Sequence, residues 1–130
     1  MSSPVIILLP QWAELILDGT KTAEVRGQNT HKRGTVLISR SGEKSIVGSV
    51  DIVDCEGPVT KERFEELREL HRVDGSIQTT RAHATDQDIP YKKTFIYHLK
   101  SPIRFETPIP FERKSGPVTW ARFTGSVQTI

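Results

Sequence analysis

One cysteine in 130 residues excludes an internal disulfide and any zinc site built from several thiolates. There is one methionine, and aromatic residues make up only 7% of the chain. No apolar run approaches the roughly 20 residues that a membrane-spanning helix needs. Internal repeats, low-complexity tracts and linker-like stretches are also missing. None of His31, His71, His83 and His98 stands at a spacing that suggests a metal, so neither metal nor cofactor is expected. Met1-Ser2-Ser3 carries no basic side chain and Val5 to Leu9 is short for a signal-peptide apolar region. The expectation is a cytoplasmic protein, or a nuclear one in a eukaryotic source, without a membrane partner.

Charge of one sign is scarce as well. Eighteen Lys and Arg against 16 Asp and Glu leave a formal net charge of +2, too little for a tight non-specific polyanion binder. The charges are unevenly spread, however. Glu56, Glu62, Glu65, Glu66 and Glu69 crowd the middle, whereas basic residues gather at His31-Lys32-Arg33, Lys92-Lys93 and Arg113-Lys114. Local basic patches of this kind are compatible with nucleic-acid contact. The Glu-rich stretch offers a charged surface to other proteins.

What is present is a chain long enough to bury one core. A single domain is expected over residues 1–125, with 126–130 as a short tail. Pro10 to Asp18 reads as a helix with Pro at its start, Gly19 past its end, and Trp12, Leu15 and Ile16 on one face. A second helix is expected from Thr60 to His71, capped by Thr60, with Phe64, Leu67 and Leu70 as its apolar stripe. Strands are expected at Val5–Leu8, Thr22–Arg26, Thr35–Ser39, Ile46–Asp54, Tyr91–Lys100, Ile103–Phe105 and Val118–Phe123. In the fourth, Ile46, Val50 and Ile52 should face inward, with Ser49 and Asp51 outward. Ser41-Gly42-Glu43-Lys44 reads as a turn, and Arg72 to Pro90 as a long polar loop. Short strands with two inserted helices suggest α+β architecture, with the sheet curled into a small barrel that leaves no exposed edge.

The densest chemistry lies in Gly19-Thr20-Lys21-Thr22-Ala23-Glu24-Val25-Arg26. Period-two alternation sends Ala23 and Val25 to the core and puts Thr22, Glu24 and Arg26 on the opposite face. An ion pair on an exposed strand is the plain reading of these charges, and it would contribute little. A helix followed by G-x-K-x-x-E-x-R resembles the ASCH family of the PUA-like superfamily. Arg33-Gly34-Thr35-Val36-Leu37-Ile38, Val47-Gly48-Ser49-Val50-Asp51-Ile52-Val53-Asp54-Cys55, Pro102-Ile103-Arg104-Phe105 and Pro108-Ile109-Pro110-Phe111 continue the likeness in order. It is similar in particular to the C-terminal domain of activating signal cointegrator and to small stand-alone ASCH proteins.

The resemblance implies a PUA-like mixed β-barrel with two principal helices. It also implies a cleft beside the first helix, lined by the G-x-K-x-x-E-x-R segment and binding RNA, DNA or a nucleoside-like ligand. Lys21 would be an ammonium at the cleft mouth, Glu24 a base or acceptor, and Arg26 a donor to phosphate or base edge. Trp12 would stack a base. Thr22 and the basic turn His31-Lys32-Arg33 complete the expected nucleic-acid contacts. The other class is a hydrolase with Lys21 and Glu24 as catalytic residues. One form is an amidohydrolase acting on N4-acetylcytidine, whose family carries a threonine where this chain has Glu24. The other is a metal-independent ribonuclease. Cys55 reads as a small buried hydrophobe and Trp120 as structural.

Overall fold

In the computed structural model, residues 3–73, 89–112 and 120–125 are described. The elements run β1 (Ser3–Leu8), α1 (Pro10–Leu17), β2 (Ala23–Arg26), β3 (Gly34–Arg40), β4 (Ser45–Glu56), α2 (Lys61–Glu66), α3 (Arg68–His71), β5 (Phe95–Pro110) and β6 (Trp120–Phe123). The strands form one sheet in the order β2-β5-β4-β3-β1-β6. β1 runs parallel to β3 with Val5 opposite Leu37, and antiparallel to β6 with Val5 opposite Ala121. β2 runs antiparallel to β5, with Ala23 opposite His98 and Arg26 opposite Phe95.

The closed barrel is a correction. Among the described residues the sheet has two ends, β2 and β6, and no ladder joins them. The hazard of bare edges argues for closure, but edges can also be protected by brevity and charge. Both end strands are four residues long.

Two compact units account for the tertiary contacts: Met1–Thr20 with Gly34–Asp51 and Lys100–Ile130, and Lys21–Arg33 with Ile52–Leu99. The long strands β4 and β5 each contribute residues to both. In the first unit Val5, Ile7, Leu37, Ile46, Phe105 and Phe111 form an apolar cluster, with Ile109, Ala121 and Phe123 packed against it. Phe111 and Phe123 meet edge to face at 6.0 Å. α1 starts on Pro10, whose missing N–H costs nothing there, and ends where Gly19 takes φ 88°. It buries Trp12, Ala13, Ile16 and Leu17, while Leu15 is half-buried. β4 departs from strict alternation, for every residue from Ile46 to Val50 is buried, Ser49 included.

In the second unit the expected single helix is broken at Leu67. Thr60 Oγ1 accepts from Arg63 N at 3.1 Å, the cap expected at that position. Phe64, Leu67 and His71 are buried and Leu70 is exposed. The buried set is i, i+3, i+7, the 3.6-residue period, whereas Phe64, Leu67 and Leu70 follow a strict period of three. β5 runs unbroken through the two strands expected at its place. Ser101 sits within it at φ 55°, directly before Pro102, which explains why the sequence pattern parts there. The expected loop falls largely on 74–88, and the expected tail on 126–130, outside the described residues.

Candidate functional site

Backbone bonds seat the motif at the edge of the second unit. Thr22 N donates to Leu70 O, and Leu99 N donates to Thr22 O, both at 2.9 Å. Residue 22 is thereby tied to the end of α3 on one side and to β5 on the other. Its side chain is exposed, so Thr22 serves by its backbone and does not continue the Glu24 face.

Lys21 does not stand in solvent. The residue is 1% exposed, and its Nζ donates to His71 O at 2.6 Å. That carbonyl lies at the C-terminus of α3, where a cation is favoured by the last carbonyls of a helix. Lys21 Nζ also lies 3.5 Å from Glu24 Oε1. The other carboxylate oxygen, Glu24 Oε2, accepts from Arg26 Nε at 2.8 Å. Glu24 is 5% exposed, and the Arg26 side chain, the outermost of the three, is 11% exposed. One buried carboxylate is therefore shared by two cations. Burial pulls the Lys21 ammonium below the ordinary lysine range; Glu24 opposes the shift and Arg26 adds to it.

His71, which the sequence pattern does not single out, holds this arrangement from behind. Its ring is buried and stacked on Phe64 at 4.1 Å between centroids. Val73 N donates to Nδ1 at 2.9 Å, so the ring proton sits on Nε2, which donates to Phe64 O at 2.9 Å. Desolvation lowers its pKa to about 4, with the Lys21 charge acting in the same direction. A 3.6-residue count from Phe64 is the signal that finds it.

Tyr97 escapes sequence reasoning for a similar cause, since only the register pairs it with Glu24 across β2 and β5. Its Oη donates to Gln28 O at 2.7 Å, anchoring the turn after β2. On that turn His31 and Arg33 are exposed and Lys32 is half-buried. Arg33 donates to Thr30 O and Lys32 O at 3.1 and 2.8 Å, and lies 3.7 Å from Asp54. His98 is half-buried, with Nε2 2.6 Å from Glu56, a carboxylate that Arg63 also grips at 2.8 and 3.1 Å. Arg63 and His98 hold that carboxyl below its usual range despite partial desolvation. Cys55 is half-buried and its thiol donates to Asn29 Oδ1 at 3.2 Å, so it is a polar contact at the surface and not a core hydrophobe. Trp12 belongs to the first unit and is buried. Lys21, Glu24, Arg26 and the basic turn all belong to the second unit.

The ASCH domain model matches residues 6–109. The chain belongs to the ASCH domain family. The matched range draws on both units. A crystal structure of ASCH from Zymomonas mobilis is similar at 17% identity and TM-score 0.70, over 94% of this chain and 87% of that one. A serine-to-alanine mutant of the Zymomonas mobilis protein is similar at 16% identity and TM-score 0.71, over 94% and 88%. At this identity the likeness is one of fold. No curated protein matches the sequence. Among the described residues, no helix is long and apolar enough to cross a membrane, and no cluster of His, Cys, Asp and Glu could hold a metal ion.

Proposed function

We propose that this ASCH protein is an RNA-binding module whose ligand engages the Lys21–Glu24–Arg26 row. The observation that carries the reading is the buried carboxylate shared by two cations. Removing three charges from water is expensive, and an apolar trio of similar volume would stabilise a fold as well or better. A lysine with lowered proton affinity beside a specific charge partner is a pattern that marks functional sites. Arg26 is the outermost of the three and the group that a phosphate or base edge meets first. His31, Lys32 and Arg33 follow it on the next turn, where Lys32 and Arg33 supply positive charge.

The direct test is titration of labelled single-stranded RNA at several salt concentrations. Micromolar binding that weakens steeply with salt is expected, because phosphate contacts release counterions. Absence of any shift at low salt, with RNA and DNA alike, overturns the proposal.

One observation favours a second reading. Burial makes Lys21 easier to deprotonate, and a neutral amine is a competent general base. A metal-independent ribonuclease is the hydrolase that fits. The N4-acetylcytidine reaction fits poorly, because Glu24 stands where those enzymes carry threonine and its attack on an amide would give an unstable mixed anhydride. Shortening of RNA in the presence of a chelator, abolished in Lys21→Met, supports the ribonuclease. RNA bound and recovered intact removes it.

A further inference from the structure

The register of β2 against β5 ends at Arg26 opposite Phe95. The segment leaving β2, residues 27–33, and the segment entering β5, residues 91–94, therefore emerge side by side at one end of the sheet. Their contact is close. A Cβ on Gly27 would fall 2.9 Å from Tyr91 Cδ1, so the aromatic ring lies directly on the Gly27 backbone, and a residue without a side chain is what permits it.

Each segment is closed by an inward threonine. Thr30 is buried, and its Oγ1 accepts from Lys32 N at 3.1 Å. Thr94 is fully buried, its Oγ1 accepting from Tyr91 N at 3.2 Å and donating to Tyr91 O at 3.1 Å. Val59 N donates to Thr94 O at 2.8 Å, fastening the second turn from outside. Hydroxyl groups are turned in and cations are turned out. Lys92, Lys93, His31 and Arg33 are exposed, and Lys32 is half-buried.

The two segments, Gly27-Gln28-Asn29-Thr30-His31-Lys32-Arg33 and Tyr91-Lys92-Lys93-Thr94, hold four Lys and Arg and no Asp or Glu. Arg33 lies 3.7 Å from Asp54. The two segments together with Asp54 carry a net +3, against +2 for the whole chain.

We infer that the paired turns at the β2/β5 end form a preorganised track for the phosphodiester backbone of single-stranded RNA, in which Lys92 and Lys93 join the basic turn 31–33. This rests on the RNA reading above and deepens it by separating two tasks. The track supplies sequence-independent attraction, and the Lys21–Glu24–Arg26 row supplies whatever selectivity the protein has. Holding both turns by buried hydroxyls reduces the ordering cost on binding.

The test is the salt slope for a 12-residue oligouridylate with wild type, Lys92→Ala/Lys93→Ala, Lys92→Arg/Lys93→Arg and, as a control, Lys44→Ala in the exposed turn of the other unit. Each neutralised phosphate contributes about 0.7 to the slope on a single strand, so the double alanine variant should flatten it by roughly 1.4 and bind on the order of tenfold more weakly. The arginine variant should restore both, and Lys44→Ala should match wild type. Thermal melting confirms that the exposed substitutions leave the fold intact; should the alanine pair melt early, Lys92→Gln/Lys93→Gln takes its place. Wild-type binding with an unchanged slope in the neutral variants overturns the track alone. Failure of wild type to bind the oligonucleotide at low salt overturns the track together with the RNA reading.

Discussion

Replacing Lys21 with methionine removes its charge while nearly preserving its volume, and it tests the buried row most directly. In wild type Nζ donates to His71 O at 2.6 Å and neutralises Glu24 from 3.5 Å. Breaking a fully buried ion pair from one side costs about 3–5 kcal/mol. Here Glu24 keeps Arg26 at 2.8 Å, which reduces the loss, while the His71 carbonyl loses a strong donor. The expected destabilisation at pH 7 is roughly 2–4 kcal/mol, a melting shift on the order of 10 °C for a domain of this size. Lys21→Ala should cost more, because it adds a cavity. Were Lys21 a solvated turn residue, either change would stay within about 0.5 kcal/mol. The pH dependence carries a sign. Burial places the folded-state value below the lysine reference of 10.5, so the unfolded chain binds the extra proton between the two values. Wild-type stability, relative to Lys21→Met, should therefore rise as pH climbs through that window and level off above 10.5. Urea unfolding of both proteins at about pH 7, 9 and 10 measures the difference. Equal stability at pH 7 with parallel pH profiles would refute the burial argument, because a desolvated ammonium must leave both marks.

Other substitutions address the surroundings of the row. His71 is neutral in the fold, with its pKa lowered from 6.5 to about 4, so stability should be lost as pH falls from 6.5 to 4, by roughly 3 kcal/mol in all. His71→Gln should flatten that slope in acid-unfolding curves, and an equally steep loss in the variant would assign it to other groups. Gly48→Ala would bring a Cβ to 2.3 Å from Ile103 O and 2.6 Å from Leu17 Cδ2. Since a backbone oxygen cannot swing away, the variant should be destabilised by more than about 2 kcal/mol in thermal melting, and a neutral result would place the β4 backbone elsewhere.

Local rules make much of this protein legible before any tertiary contact is considered. Pro10 and Gly19 delimit α1 because the proline ring fixes φ and lacks an N–H, and glycine takes a left-handed φ without steric cost. Thr60 caps α2 through a bond spanning three residues, and the alternation of Ala23, Glu24, Val25 and Arg26 marks β2. The ordered motifs from Arg33 to Phe111 are enough to suggest the ASCH family. The failures have different causes, one a miscounted helical period and the others contacts that only the folded chain makes. Leu70 and His71 exchange places because the helix breaks at Leu67 and packs by its 3.6-residue period. Ser49 is buried because β4 is covered on both sides. The sheet stays open and ends on two four-residue strands, which pairing between distant segments decides. Lys21 illustrates the division most clearly. Its place after Gly19 and three residues before Glu24 is written in the sequence, but a carbonyl 50 positions away, at the end of α3, turns a turn lysine into a buried one. Sequence can nominate a charge; only the folded chain decides how much water it keeps, and that sets both its proton affinity and its contribution to stability.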